Sequence, residues 1–303
     1  MKDRALIAAI NWNGRDFITG MIDSLLPQMK ETKTRLLVFD NCSEDGSDDL
    51  VEEKYSHTGM VDVYRNRENI LFGRAANRII ENARCSTVVL INTDTILQQG
   101  CLRNLLFSLE SRSEVALVGP RLLWPDGTLQ SSQRDFPFPG KLLLAHIPIL
   151  QKLTAKFSAH DKGRYGDWLV GAMMAIRVKA FNEIGGFDEE FLFFHEETDL
   201  QYRLVKAGWK IWFEPSAEVF HLEGASSHQK YGRRIYLRHI PGKLLFLRKY
   251  GTRIDIISFK LLMTLLQVQR MMKGRLSGKL AASDVRCTAS YCREAIRLLW
   301  RKQ

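Results

Sequence analysis

The sequence lacks the marks of several common protein classes. Its five cysteines, Cys42, Cys85, Cys101, Cys287 and Cys292, are scattered, with no C-x-x-C pair and no His/Cys spacing of the kind that holds zinc. Free thiols in a reducing compartment are therefore expected. Long apolar runs are also missing. Between Arg4 and Asn11 lie only six uninterrupted apolar residues, too few for a signal-peptide core or a membrane span, so the domain is expected to start in the cytosol. No glycine-rich phosphate loop follows this first run, which continues as NWNGRDF, and that excludes a dinucleotide-dependent dehydrogenase. Internal repeats and low-complexity tracts are absent.

What is present is enough for a large core. With 303 residues, 45% hydrophobic and 26% charged, the chain can build one large domain plus an appendage. The net charge of +10 is unevenly placed: residues 228–303 hold 18 Lys and Arg against 3 Asp and Glu, a net of +15, leaving 26 against 31, or −5, in residues 1–227. A mildly acidic body with a basic tail points to an anionic surface, membrane or nucleic acid. Within the tail, residues 254–272 are apolar at many positions but interrupted by Asp255, Lys260, Gln267, Gln269 and Arg270. That pattern reads as a helix lying in a membrane interface, or as an amphipathic helix packed on the body or in a dimer, rather than as a spanning helix. Nucleic acid is a poor partner, because no aromatic stacking positions are interleaved with the charges and no reading motif occurs.

Along the body, short apolar runs alternate with helical patterns. The runs are 5–12, 35–41, 61–66 and 87–94; the helical patterns pass through Phe17, Met21 and Leu25, then 46–55, 73–83 and 101–110. Such alternation predicts a parallel α/β sheet, whose ligands bind beyond the carboxyl ends of the strands. The residues at those ends are Asn11-Trp12-Asn13, Asp40-Asn41 and Asn92-Thr93-Asp94. After residue 112 the alternation breaks. An Asp-Gly turn separates extended segments, 140–165 gives weak signals, and order returns at 167–178, 180–194 and 210–221, as expected of a mixed, partly antiparallel second half.

Several of these residues can do chemistry. Asp94 closes a buried apolar run and can reach a divalent cation bound to phosphates, or can simply turn the chain into the next element. Asp40 has the same place on the second run, where Asp-Asn-x-Ser and Asp-Gly-Ser also make good turn and cap chemistry. In FLFFHEETDLQYRL (191–204), Glu196, Glu197 and Asp199 crowd the first turn of a predicted helix. Acids there favour the helix dipole, but three of them repel one another. Either a positive group lies nearby or one carboxyl has a raised pKa.

Seven blocks, INWNG, VFDNCSEDGS, NILFGRAANRII, LINTDT, GAMMAIR, GGFDEEFLFFHEETDLQYRLVKAGWKI and PSAEVFHLEGASS, resemble in order and spacing the family 2 glycosyltransferases of GT-A fold. Within that family the chain is similar to the bacterial rhamnosyltransferase-like group that builds O-antigen and other cell-envelope polysaccharides. The resemblance covers roughly residues 5–250.

The resemblance implies a Rossmann-like mixed sheet in residues 1–227, with a nucleotide-binding half (1–112) and an acceptor half (113–227), followed by a basic amphipathic extension (228–303). By position, Asn11, Trp12, Asn13 and Asn41 fall on nucleotide-contacting segments, Asp40 on the acid that binds the base, and Asn77 on the donor pocket. Asp94 matches the second acid of the D-x-D motif, with Asn92 in place of the first, and His221 matches a histidine that completes the metal site. Glu197 stands where the family usually has the Asp that acts as catalytic base, with Glu196 and Asp199 as neighbouring candidates. The implied reaction is inverting transfer, with Mg2+ or Mn2+, from a nucleotide sugar to a polyprenyl-diphosphate-linked saccharide on the inner face of the cell membrane. dTDP-L-rhamnose is the favoured donor. UDP-hexose or UDP-N-acetylhexosamine transfer and a non-catalytic nucleotide-sugar binding protein are the alternatives.

Overall fold

The computed structural model describes residues 4–140, 162–222, 235–276 and 282–300. Two compact units emerge. The first holds the described residues up to Asp135 together with 162–192 and 196–222; the second holds 136–140, 193–195 and the helices that follow Ile235. The domain boundary expected at 227 lies outside the described residues.

The first unit opens as the alternation predicts: β1 (Leu6–Asn11), α1 (Arg15–Thr32), β2 (Arg35–Asp40), α2 (Ser47–Tyr55), β3 (Val61–Arg65), α3 (Phe72–Glu81) and β4 (Thr87–Ile91). These four strands are parallel, in the order β3-β2-β1-β4. Successive side chains in β4 go to opposite sides, Val89 and Ile91 to the cluster built on α1 and Val88 and Leu90 to the cluster built on α3. A strand with both faces covered must be apolar throughout, which is why TVVLI does not alternate.

The chain then changes direction. A three-residue strand, β5 (Thr95–Leu97), precedes α4 (Cys101–Glu110), and β6 (Val115–Leu123) turns through Asp126-Gly127 into β7 (Leu129–Gln130). Next come β8 (Gln133–Arg134), β9 (Arg164–Tyr165), β10 (Trp168–Leu169), β11 (Met173–Arg177), α5 (Val178–Glu183), α6 (Glu196–Lys206) and β12 (Lys210–His221). Strand β11 runs antiparallel between β4 and β6, and β12 is parallel to β6 and antiparallel to β5. The sheet order is β3-β2-β1-β4-β11-β6-β12-β5. The 87–94 run is thus two elements, β4 and the chain leading to β5, because Asn92-Thr93-Asp94 interrupts the ladder.

Helix α6 is fixed to the sheet by Gln201, whose amide exchanges two 2.8 Å hydrogen bonds with the backbone of Leu169, while Leu200 and Leu204 are fully buried. Arg177 caps the end of α4 by donating to the carbonyls of Leu109, Arg112 and Val115.

In the second unit, α7 (Ile235–Tyr250), α8 (Arg253–Leu276) and α9 (Ala282–Trp300) share a cluster of Leu237, Ile240, Leu244, Leu247, Phe259, Ala295 and Leu299. Phe194 stacks on His239 with ring centroids 3.8 Å apart. Gly242 is required beneath them, since a Cβ there would lie 2.6 Å from the Phe194 carbonyl oxygen. Among the described residues no helix is long and apolar enough to cross a membrane.

Candidate active site

Parallel register sets Asn11 opposite Asp40 at the carboxyl ends of β1 and β2. The Asn11 amide donates to Asp40 Oδ1 (2.8 Å), Ser43 Oγ (3.2 Å) and Ser47 Oγ (2.7 Å), and Asp40 Oδ2 accepts the Ser43 backbone N–H (2.9 Å). Asp40 therefore accepts one hydrogen bond on each oxygen, leaving lone pairs for a further donor. Asn13, in the left-handed region at φ 53°, accepts from the Glu44 N–H at 2.8 Å and donates its own N–H to Ser43 at 2.9 Å. Trp12 lies half-buried between them. Burial pushes the Asp45 carboxyl up, yet bonds from Ser47 and the Arg15 N–H hold it below the ordinary aspartate value. Two loops that diverge in sequence are thereby fastened into one rim.

Gly14 sits where that rim is tightest. A Cβ there would strike Asn11 Oδ1 and approach Thr93 Oγ1 to 3.1 Å. Asn41 extends the network, accepting the Ile70 N–H at 3.0 Å and donating to Asn69 at 3.0 Å. The next residue, Leu71, has φ 70° and ψ 166°, a conformation almost restricted to glycine. A strained leucine so held at the entrance to α3 marks a loop shaped by more than its own preferences.

Asn77, expected on the donor pocket, is engaged elsewhere. Its amide donates to the Phe187 carbonyl at 2.9 Å and accepts the Phe187 N–H at 2.8 Å, which ties α3 to the turn containing Gly185 and Gly186.

Asp94 and His221 are brought together by the strand ladder. His221 pairs with Thr95 across β12 and β5, the Asp94 carbonyl accepts the Leu222 N–H at 3.1 Å, and His221 Nε2 lies 3.6 Å from Asp94 Oδ1. Both side chains are nearly buried. His221 Nδ1 is 2.9 Å from Gln130 Oε1. An amide oxygen accepts from Nδ1–H, so in the neutral ring Nε2 presents its lone pair to the carboxylate. Two ligands about 2.1 Å from one ion stand about 3.0–3.6 Å apart for angles of about 90–120°, so this pair fits a divalent cation. Among the described residues no group of three or more His, Cys, Asp and Glu could hold a metal. Two protein ligands suffice where substrate phosphates complete the shell.

Sequence reasoning missed Gln130. Its signal was the Asp-Gly turn: folding 122–123 back on 129–130 places Gln130 opposite Leu122, and β6 carries that row to β12.

The three acids of α6 are separated by the structure. Asp199 is fully buried, and Arg203 binds it at 2.6 and 2.8 Å while donating to the Ile184 carbonyl at 2.9 Å. That engagement makes Asp199 a structural anchor rather than a free base. Glu197 lies over Gly171, where a Cβ would meet its Cγ at 3.3 Å. The neighbouring Ala172 carbonyl accepts the Asn92 N–H at 2.9 Å. Glu197 thus packs beside residue 171, whose neighbour Ala172 is hydrogen-bonded to Asn92, two residues before Asp94. Burial first, and the charge of Glu197 second, push the Glu196 carboxyl well above its ordinary value. Its Oε2 is buried without a hydrogen-bond partner among the described residues. One carboxyl of the expected trio thus has a raised pKa, and Arg203 beside Asp199 supplies a positive group as well.

The family is settled by the sequence match: a model of glycosyl transferase family 2 covers residues 7–185. The chain belongs to this family. It is a glycosyltransferase, and strands β1 to β4 with the Asn92-Thr93-Asp94 turn lie within or overlap the matched span. An N-acetylglucosaminyl-diphospho-decaprenol L-rhamnosyltransferase of Mycobacterium tuberculosis is 27% identical over 245 residues, 75% of this chain and 78% of that one. The succinoglycan biosynthesis protein ExoA of Rhizobium meliloti is 24% identical over 245 residues, 76% and 70% of the two chains. Among solved structures, the mannosyltransferase PcManGT of Pyrobaculum calidifontis, in complex with GDP-Man and Mn2+, superposes with a TM-score of 0.63 at 14% identity, covering 100% of this glycosyltransferase and 89% of its own chain. That superposition establishes the GT-A fold.

Proposed function

We propose that this glycosyltransferase moves a sugar, with inversion, from a nucleoside diphosphate sugar to a lipid-linked saccharide, with dTDP-L-rhamnose as donor. The rhamnosyl and lipid-linked parts draw on the M. tuberculosis relative, whose name specifies both. The inverting chemistry is our reading of one observation: Glu197 packs against Gly171, whose neighbour Ala172 accepts the N–H of Asn92, two residues before Asp94.

In this reading the β1–β2 rim holds the nucleotide, with Asp40 taking an N–H of the base on its remaining lone pairs. Asp94 and His221 are the protein ligands of a divalent cation, which when bound neutralises charge on the departing diphosphate. Glu197 removes the proton from the acceptor hydroxyl as that oxygen attacks the anomeric carbon. Glu196, buried and with its carboxyl pushed well above its ordinary value by burial and by the charge of Glu197, is less suited than Glu197 to act as an ionised base. Glu has one methylene more than Asp, and Gly171 leaves room for it: the extra carbon packs where a side chain at 171 would stand.

The test is transfer itself. Purified protein with Mn2+ and a synthetic N-acetylglucosaminyl-diphospho-polyprenol is offered dTDP-L-rhamnose, UDP-glucose and UDP-N-acetylglucosamine in turn, with products weighed by mass spectrometry. A product carrying added deoxyhexose from the first donor alone is expected. Transfer of hexose or N-acetylhexosamine in preference would overturn the donor assignment.

A further inference from the structure

The helical unit carries an apolar surface that its own packing does not use. On one side of α8, Ile256, Phe259 and Met263 meet the cluster shared with α7 and α9. On the opposite side Ile254, Ile257, Leu261, Leu265 and Met272 are 75, 53, 55, 65 and 56% exposed, with Val268 half-buried between them. At about 100° per residue and about 1.5 Å rise, these six positions fall within about 80° of the helix circumference and run for about 27 Å. Trp300 of α9 flanks the stripe: its Nε1–H donates to Thr264 Oγ1 at 2.9 Å, and the Lys260 ammonium lies 5.4 Å over its ring. Scattered surface leucines are ordinary, whereas a continuous stripe of this length marks a contact surface.

Charge decides between occupants. Residues 228–303 carry a net charge of +15, so a second copy laid on the stripe would bring the same charge against itself, whereas an anionic surface would be attracted. A tryptophan with its N–H satisfied, beside a lysine at the edge of an apolar face, is also the arrangement favoured at a membrane–water boundary. We propose that α8 lies in the interface of an anionic lipid bilayer, with Ile254, Ile257, Leu261, Leu265, Val268 and Met272 inserted and Trp300 and Lys260 at headgroup level. The purpose of this contact rests on the lipid-linked acceptor of the proposed function; its geometry rests on the helical unit alone.

The full chain is floated with vesicles of phosphatidylcholine, with and without phosphatidylglycerol, beside a Leu261→Glu/Leu265→Glu double variant. Both residues are exposed, so the fold should hold, which circular dichroism checks. Wild type should bind the anionic vesicles and release as salt rises; the double variant should lose at least about tenfold in partitioning, since each leucine inserted contributes more than a decade. Equal vesicle binding by both proteins, or none by wild type, overturns the proposal. So does a wild-type dimer that the double variant converts to monomer without change in vesicle binding. Donor hydrolysis in vesicle-free solution should be the same for both proteins, so a failure of the glycosyl-transfer reading would show there and not in flotation.

Discussion

Gln130→Leu isolates the role of a residue that touches no expected substrate. The Nδ1–H of His221 donates to Gln130 Oε1 at 2.9 Å, and both residues are nearly buried, at 3% exposure for the histidine and 4% for the glutamine. Leucine keeps the volume but removes the acceptor, leaving a buried ring N–H unpaired at a cost of about 1–3 kcal/mol. The ring then loses both its tautomer preference and its aim at Asp94. Removing such an outer partner typically weakens metal binding about 10–100-fold, or about 1.4–2.7 kcal/mol. The assay is calorimetric titration of Mn2+ into protein saturated with dTDP. Gln130→Glu serves as the control, since a carboxylate accepts the same N–H and should bind Mn2+ at least as well as wild type. The reasoning fails if the leucine variant binds Mn2+ like wild type, or if the glutamate variant loses as much as the leucine one.

Glu197→Gln should lower transfer about 10²–10⁴-fold while nucleotide affinity stays within twofold of wild type, measured by steady-state kinetics and calorimetry; near-normal turnover would remove Glu197 from the role of base. Arg203→Met strips the guanidinium from a fully buried Asp199, which should cost about 3–5 kcal/mol and lower Tm by roughly 6–10 °C in a thermal melt. Gly14→Ala pushes a methyl into Asn11 and toward Thr93, so nucleotide affinity should fall at least tenfold and stability by about 1–3 kcal/mol, read by titration and denaturation. Because the fold raises the Glu196 pKa above 4.5, its contribution to stability is complete below that pH and is lost as pH rises through the native value. Glu196→Gln should therefore melt higher than wild type at neutral pH, with the gain vanishing below pH 4.5.

Strands β1, β2 and β4 are legible because they are largely buried apolar runs at βα spacing, which fit little besides a covered parallel sheet, whereas the edge strand β3 is mostly exposed and is legible by its place in the alternation. Strand β5 is not, since three residues between Asp94 and Gln98 carry no period of their own and are held in place by β12, more than a hundred residues away. The antiparallel insertion of β11 is equally silent: MMAIR reads as any buried strand, and its direction is set by where the chain returns from, not by its composition.

At the site, legibility follows how local each role is. The acids and amides that end strands could be named because a polar residue closing an apolar run is anomalous in itself. What those residues do was another matter, since roles depend on partners distant in sequence. Asn77 and Asp199 have the residue type a binding site needs, yet Phe187 and Arg203 engage them, and only the fold reveals it. Gln130 is the converse case. The Asp126-Gly127 turn implies that 129–130 folds back on 122–123, but that Gln130 meets His221 is visible only once β6, β7 and β12 are aligned. The raised pKa of Glu196 lies between these extremes: three acids in one turn predict either a positive group nearby or a carboxyl with a raised pKa, but only the fold shows that Arg203 meets Asp199 while the carboxyl of Glu196 is buried.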